Sequence, residues 1–466
     1  LVAALDAGRF IGGGFMTHKL AIELNETLRR EAPYVLGMLS ELGRDLYFPK
    51  GILTQTAEAK QKANRCNATI GIAKESGQAM HLGSVMRQFA NVTPDEVFPY
   101  APSPGRPDLR AKWKELLAEK NPSLKDKKIS LPVVTSGITH GLSIVADMFV
   151  ERGDLMLVPE MYWGNYNMIF DVRRGATMTP YPFLAQDGKG LDTEGFRQTI
   201  LKHAKEGSGE STGDQVAGRK LVVLLNFPHN PTGYSASEAE AKAICETLEE
   251  AANGDCDIVV VCDDAYFGLF YEPQVLKESI FARLAGRRET ILCIKLDGAT
   301  KEDYVWGLRV GFITFGLQTP GPGTYEALEK KAAGLIRGTI SNCPHHSQSI
   351  VLKAMSDDTY AREREEKFNL MKGRAAKVKE VLADEKFDAA WEPYPFNSGY
   401  FMCLKMKDLD AEAFRIRLLD QYGIGVIAAG ASDVRVAFSC LEEDEIAPLF
   451  EAMFQCSQEM KAATVE

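Results

Sequence analysis

The stretch ILCIKLDGATKEDYVWGLRVGF, residues 291–312, decides how this chain reads. Its first four residues, Ile291, Leu292, Cys293 and Ile294, form the apolar, β-branched run of a short buried strand. The run breaks at Asp297 and Gly298, and Lys301 follows in a small polar turn. Arg309 comes eight residues later and leads into a second apolar run, 310–315. A lysine held at the end of a buried strand is a candidate imine-forming nucleophile, because burial and nearby cations keep its amine neutral. An arginine one hairpin away suits a phosphate, since its planar fork grips two oxygens at once. An isolated lysine in a loop is ordinarily a solvated surface residue. The rest of the chain weighs against that reading here.

On either side of this stretch the same kind of run recurs. Residues 131–135, 155–159, 177–181, 221–225, 257–262, 291–295 and 311–315 are short and rich in Val, Ile and Leu, and helical segments alternate with them. Continuous apolar runs predict strands buried on both faces, hence an α/β fold with a mainly parallel seven-stranded sheet between helices. Residues 101–344 are expected to form this large domain. After about 345 the chain turns helical and charged (360–382), then strand-like at 399–404 and 434–439. Residues 345–466, joined by 66–100, are expected to make a small α+β domain, and residues 1–65 an amphipathic helical arm. Gly12, Gly13 and Gly14 neither follow a strand nor end in Gly-Lys-Ser/Thr, so they read as flexible arm, not phosphate loop. The polar insertion 207–213 reads as an exposed loop.

Composition narrows the class. The chain has 466 residues, 45% of them hydrophobic and 25% charged, as in a globular protein of two or three domains. A net charge of −10 argues against a nucleic-acid or anionic-membrane surface. The nine cysteines are scattered, with no CxxC pair, so neither zinc nor a redox motif is expected. Several sit inside apolar runs, as small hydrophobes do in a reducing cytosol, and a cytoplasmic location is the expectation. No apolar run is long enough to span a membrane, and the first twenty residues lack the pattern of a signal peptide.

In an open α/β sheet, ligands bind outside the carboxyl ends of the strands. Several runs here end in polar residues. The first is followed by TSGITHG (135–141), a glycine turn opening a helix. There Gly137, the Ile138 and Thr139 amides and the Thr139 hydroxyl could hold a phosphate, although a plain helix cap has the same appearance. The second is followed by PEMYWGN (159–165), where Trp163 could cover a flat ring. The fourth is followed by NFPHNPTGY (226–234), a rigid turn carrying Asn230, and the fifth by DDAYFG (263–268). A carboxylate ending a hydrophobic strand is costly unless paired, so Asp263 is expected to face a cation. A protonated pyridine needs a buried carboxylate, its aldehyde an amine, its ring hydroxyl donors, and its phosphate amides and a cation. Asp263, Lys301, Tyr266 with Asn230, and the 137–139 turn with Arg309 supply them. This set matches pyridoxal 5′-phosphate, whose ring serves as an electron sink.

These motifs resemble those of the fold type I, aspartate-aminotransferase-like enzymes (aminotransferase class I and II), over roughly residues 65–445. HNPTGY at 229–234, the D-x-A-Y order at 263–266, the Trp-Gly-Asn segment and the Lys301-to-Arg309 interval followed by Val-Gly carry the resemblance. It implies that Lys301 forms the aldimine with the cofactor and moves the substrate's α-proton, and that Asp263 pairs with the ring nitrogen. It also implies that Trp163 stacks on the ring, that Asn230 and Tyr266 hold the ring oxygen, and that Ile138, Thr139, Thr300 and Arg309 bind the phosphate. Tyr100 and Ser341 would reach the phosphate, Tyr100 that of a neighbouring subunit, so a homodimer with shared sites is implied. Arg435 would clamp the substrate α-carboxylate beside Gly71, Asn230 and Trp163. Arg337, four residues before Ser341, would read the distal carboxylate of the partner's substrate, favouring aspartate, glutamate or 2-oxoglutarate; aromatic donors stay possible, and a surface arginine is the equal alternative. Met16, Met80 and the aromatics of 394–401 read as packing residues that could also line the pocket.

Two departures stand out. Gly298 and Thr300 occupy positions where the family usually has serine at one or both, and Asp297 puts an acid in the same turn. The N-terminal 65 residues exceed what the fold needs. The resemblance implies an aminotransferase working by a ping-pong cycle between an L-amino acid and a 2-oxo acid. A lyase, decarboxylase or synthase of the same fold shares the motifs, and a non-enzymatic binding module is the third possibility.

Overall fold

The computed structural model describes residues 17–49, 51–206, 219–253 and 256–465. Gly12, Gly13, Gly14, Met16 and the insertion 207–213 lie outside them. All seven expected strands form: Val133–Thr135 (β1), Leu155–Pro159 (β2), Thr177–Tyr181 (β3), Arg219–Asn226 (β4), Cys256–Asp263 (β5), Ile291–Asp297 (β6) and Gly311–Gly316 (β7). They build one sheet in the order β1-β7-β6-β5-β4-β2-β3. Only β7 runs against its neighbours, β1 and β6; every other pairing is parallel. The central strands are apolar throughout because helices cover both faces: the side chains of β7 are all buried, as are the last six of β4. β3 is an edge strand, half exposed, and so tolerates Pro180.

Register brings the polar strand ends into one row. Asn226 lies opposite Asp263, Asp263 opposite Leu296, Asp297 opposite Phe312, and Gly311 opposite Thr135. The carboxyl ends of β1, β2, β4, β5 and β6 therefore share one edge with the start of β7, where ligands of such sheets bind.

A second, antiparallel sheet comes from the C-terminal part: Trp391–Pro393 (β8), Met402–Met406 (β9), Ile427–Ala428 (β10) and Asp433–Val436 (β11), in the order β8-β9-β11-β10. Helices Tyr360–Leu382, Ala411–Tyr422 and Glu443–Val465 accompany it. Cys66–Asn67 pairs with Ile424–Gly425, and the Ala437 N–H donates to Ala68 at 2.9 Å. The early chain is thus tied to the C-terminal part. The described part of the N-terminal region forms helices at Lys19–Glu31, Pro33–Met38, Glu41–Asp45 and Ile52–Lys62. It leaves Tyr34, Met38 and Phe48 largely exposed. Among the described residues no helix is long and apolar enough to cross a membrane.

Candidate active site

Asp263 is the last residue of β5, and only 3% of it is exposed. Burial raises its carboxyl above the usual range. Two donors oppose that shift: the Tyr166 hydroxyl gives to Oδ2 at 2.6 Å and the Ala265 N–H to Oδ1 at 3.2 Å. Lys301 sits in the single helical turn Ala299–Glu302 that follows β6. Its Nζ lies 4.7 Å from the centre of the Tyr266 ring and forms no ion pair with a carboxylate among the described residues. Burial brings this amine down to about 8; Asp263 works against the shift and Arg309 with it. An amine so placed is neutral often enough near pH 8 to attack a carbonyl carbon.

Beside Arg309 lies the start of a helix. Gly137 precedes the helix Ile138–Phe149 at φ 77°, a left-handed conformation that glycine takes without strain. A Cβ there would fall 2.2 Å from Arg309 Nη2, so only glycine lets the guanidinium lie against the helix start. The Ile138 and Thr139 amides, in the first turn, have no partner within the helix. Thr300 Oγ1 is buried with no hydrogen-bond partner among the described residues. Arg309, itself at φ 55°, has one bond among the described residues, to the Trp306 carbonyl, and no carboxylate among them. Free amides, an orphaned hydroxyl and an unpaired arginine make an anion cradle.

Both departures in the lysine turn have a structural reason. A Cβ on Gly298 would meet the Val310 carbonyl oxygen at 2.6 Å and Gly311 Cα at 2.8 Å, so no serine fits. Asp297 does not burden the cradle, contrary to the concern its position raises. It is buried against Lys295 Nζ at 3.6 Å and accepts from the Trp113 indole at 3.1 Å.

On the C-terminal side, Arg435 of β11 is 2% exposed and has no ion pair among the described residues. Its Nη1 donates to Asn230 Oδ1 at 3.1 Å and its Nη2 to the Thr69 carbonyl at 3.0 Å, while Nε has no partner. The guanidinium lies over the Phe401 ring at 4.1 Å. A buried cation without a counter-ion is costly unless a ligand supplies the charge. With its Oδ1 engaged, Asn230 keeps its NH₂ for another acceptor. Gly71 belongs to the same wall, since a Cβ on it would lie 3.5 Å from Phe401 and 3.8 Å from the Tyr266 hydroxyl. Trp163 is half buried, edge-on to Tyr166 at 5.5 Å. Met80 is fully buried in the core.

Tyr100, Arg337 and Ser341 gather elsewhere. Tyr100 is 87% exposed, and Arg337 is exposed, its Nη1 donating to Ser341 Oγ at 2.6 Å. Ser103 donates to the Ser341 carbonyl and His345 contacts that of Pro99, so these residues lie on one face. No hydrogen bond among the described residues links them to Lys301, Asp263 or Arg435.

The sequence reading passed over three supporting residues. Asn226, ending β4, donates to the Asp263 carbonyl at 2.7 Å and accepts from the Asn230 N–H at 2.9 Å, fixing both residues. Tyr166 caps Asp263, and its place three residues after Trp163 is the only signal the sequence offers. The Tyr400 hydroxyl donates to the Lys301 carbonyl at 3.1 Å. Arg364 and Lys120 both donate to the adjacent Glu302 at 2.5 Å. The backbone around Lys301 is thereby held from the helix Pro107–Lys120 and from the C-terminal part.

An amine, a buried carboxylate, an indole and an anion cradle around one strand edge fit pyridoxal 5′-phosphate, and they define the class of fold type I enzymes that use it. Comparison with known proteins agrees. Residues 71–453 match the family described as aminotransferase class I and II, and the chain belongs to that family. It is 26% identical over 302 residues to the arginine–pyruvate transaminase of Pseudomonas aeruginosa, covering 64% of this chain and 66% of that protein. It is 23% identical over 406 residues to the aspartate aminotransferase of Salmonella typhi, covering 86% and 95%. Among solved structures, an aminotransferase of Anaerococcus prevotii superposes with a TM-score of 0.77 at 21% identity, covering 90% of this chain and 99% of that one. The kynurenine aminotransferase of Pyrococcus horikoshii gives 0.73 at 17%, covering 91% and 98%. The protein is a pyridoxal-phosphate-dependent aminotransferase.

Proposed function

We propose that the enzyme moves the amino group of an L-amino acid to a 2-oxo acid in a ping-pong cycle, with acidic donors, aspartate or glutamate, preferred. The observation that carries the transfer between an amino acid and a 2-oxo acid is Arg435: a fully enclosed guanidinium with a free Nε among the described residues, beside Asn230 and over the Phe401 ring. It suits the α-carboxylate common to donor and acceptor. The bound cofactor supplies the electron sink that lets the substrate's α-hydrogen leave as a proton. Lys301 Nζ takes that proton and returns it, an amine near pKa 8 being able to do both. Asp263 holds the ring-nitrogen proton in place, and the Asn230 NH₂ and Tyr266 hydroxyl hold the ring oxygen. Gly137, Ile138, Thr139, Thr300 and Arg309 bind the phosphate, and Trp163 covers the ring.

We assign the division into an arm (1–65), a small domain (66–100 with 345–466) and a large domain (101–344), and a homodimer with shared sites. The exposed Phe98 and Tyr100, 82% and 87% accessible in the single chain, support the dimer. In it Tyr100 and Ser341 serve the phosphate, and Arg337, free of any carboxylate among the described residues, reads the distal carboxylate of the partner's substrate. Nine free cysteines, eight of them buried, suit the cytoplasm. The test is the half-reaction. L-glutamate or L-aspartate should convert the bound cofactor from the pyridoxal to the pyridoxamine form, and 2-oxoglutarate should reverse it. A cofactor spectrum indifferent to both acids would remove the acidic-donor reading, and with it the role given to Arg337.

A further inference from the structure

Tyr166 is among the largest fully buried side chains, and its hydroxyl has one partner among the described residues, Asp263 Oδ2 at 2.6 Å. The ring is boxed in by Trp163 at 5.5 Å, Tyr162 at 6.3 Å and Phe170 at 6.3 Å. It sits immediately before a helix with wide, i→i+5 turns, Asn167–Val172, a rare geometry that often accompanies functional sites. The hydroxyl thus cannot swing to another acceptor. The Asp263 carboxylate has about four lone-pair sites. Tyr166 occupies one on Oδ2 and the Ala265 N–H approaches Oδ1, so the carboxylate keeps room for a further donor.

We propose that Tyr166 is a positioning residue for the cofactor's ring-nitrogen contact: its hydroxyl fixes the plane of the Asp263 carboxylate and leaves a lone pair open to receive the ring N–H. This rests on the reading that Asp263 faces the ring nitrogen. Burial drives Asp263 toward its neutral acid, and the Tyr166 hydrogen bond acts against that drift. Burial also makes Tyr166 a very weak acid, raised well above its ordinary value, so it keeps its own proton. It stabilises the carboxylate without becoming a second proton donor to the ring.

The experiment uses the full chain stripped of cofactor and measures affinity for two probes. One is pyridoxal phosphate; the other is its analogue with C–H in place of the ring nitrogen. Wild type should favour pyridoxal phosphate. Tyr166→Phe should cut that preference by roughly tenfold, as expected for one hydrogen bond to a charged group. Its affinity for the analogue, which has no ring N–H, should change little, and this shows the fold to be intact. Asp263→Asn should lose the preference altogether. If Asp263→Asn loses it and Tyr166→Phe keeps it, Tyr166 only packs and the proposal is overturned. If neither variant changes the preference, Asp263 does not face the ring nitrogen, and the underlying reading goes too. Should Tyr166→Phe not fold, 3-fluorotyrosine at position 166 carries the test. A more acidic hydroxyl in contact with the carboxylate shifts the bound cofactor's absorbance, whereas a merely packed one leaves it unchanged, which would overturn the proposal.

Discussion

Lys295 and Lys301 stand six residues apart at the end of the same strand, and they do opposite things. Lys295 is 0% exposed, packed over the Phe267 ring, ion-paired with Asp264 and 3.6 Å from Asp297. Burial disfavours its charge, but Asp264 and then Asp297 outweigh that and raise its pKa. Lys301 has no such pair among the described residues, and burial lowers its amine to about 8. The lesson is that burial alone does not make a lysine reactive. A buried lysine with two carboxylates is a permanently charged strut, while one facing a single hydrogen-bonded carboxylate and an arginine keeps a usable lone pair.

That contrast can be broken by exchanging activity for stability. Lys301→Ala should reduce transamination by about 10⁴-fold or more, the scale of a lost proton-transfer group, with thermal unfolding of the cofactor-free protein almost unmoved. A variant retaining a tenth of the activity would mean that another base serves. Lys295→Ala should do the reverse. Asp264 and Asp297 would be left buried without a cation, costing about 3–5 kcal/mol in denaturant unfolding. Unchanged stability there would remove the strut from the picture. Arg435→Lys loses the planar fork, and kcat/KM for glutamate should fall roughly 100-fold, as for two charged hydrogen bonds weakened together. A smaller effect appears in pH. Capture of pyridoxal phosphate by the cofactor-free enzyme needs the neutral Lys301 amine, so its rate should rise about tenfold per pH unit and level off above about 8. Arg309 helps to lower this pKa, so Arg309→Met should move the midpoint upward; a downward move would show the sign to be wrong. Smallest of all, Thr300→Val should weaken cofactor affinity only several-fold, one neutral hydrogen bond's worth by equilibrium dialysis.

The strands were legible because each is an unbroken apolar run, and a sheet covered on both faces leaves no other use for such runs. Asp263 stood out because it ends an apolar run, Asn230 and Lys301 because each comes four residues after a strand, and Arg309 because it leads into one. The small sheet was read less well: the strand expected at 399–404 begins only at Met402, since Gly399 turns at φ 71°. What the sequence could not convey was direction. Asp297 reads as a phosphate-side acid, and only packing turns it toward Lys295 and Trp113. Tyr166, Asn226 and Tyr400 owe their roles to contacts 37 to 99 residues away in the chain, which no local pattern encodes. Gly298 looked like a lost contact; the approach of the Val310 and Gly311 backbone makes it a necessity.

The fastening of the lysine turn sets a limit on how far this enzyme can be trimmed. Tyr400, Arg364 and Arg435 all come from beyond residue 344, yet Tyr400 holds the Lys301 carbonyl, Arg364 the neighbouring Glu302 side chain and Arg435 the Asn230 amide. A fragment of residues 101–344 would retain all seven strands, Asp263, Lys301 and the anion cradle. It would own a floor without a clamp. Such a fragment should take up pyridoxal phosphate with a looser and more hydrolysable attachment to Lys301. Its visible spectrum should ignore every amino acid offered. The architecture makes the nucleophile the common property of two parts of the chain, and neither can evolve its packing against Lys301 independently of the other.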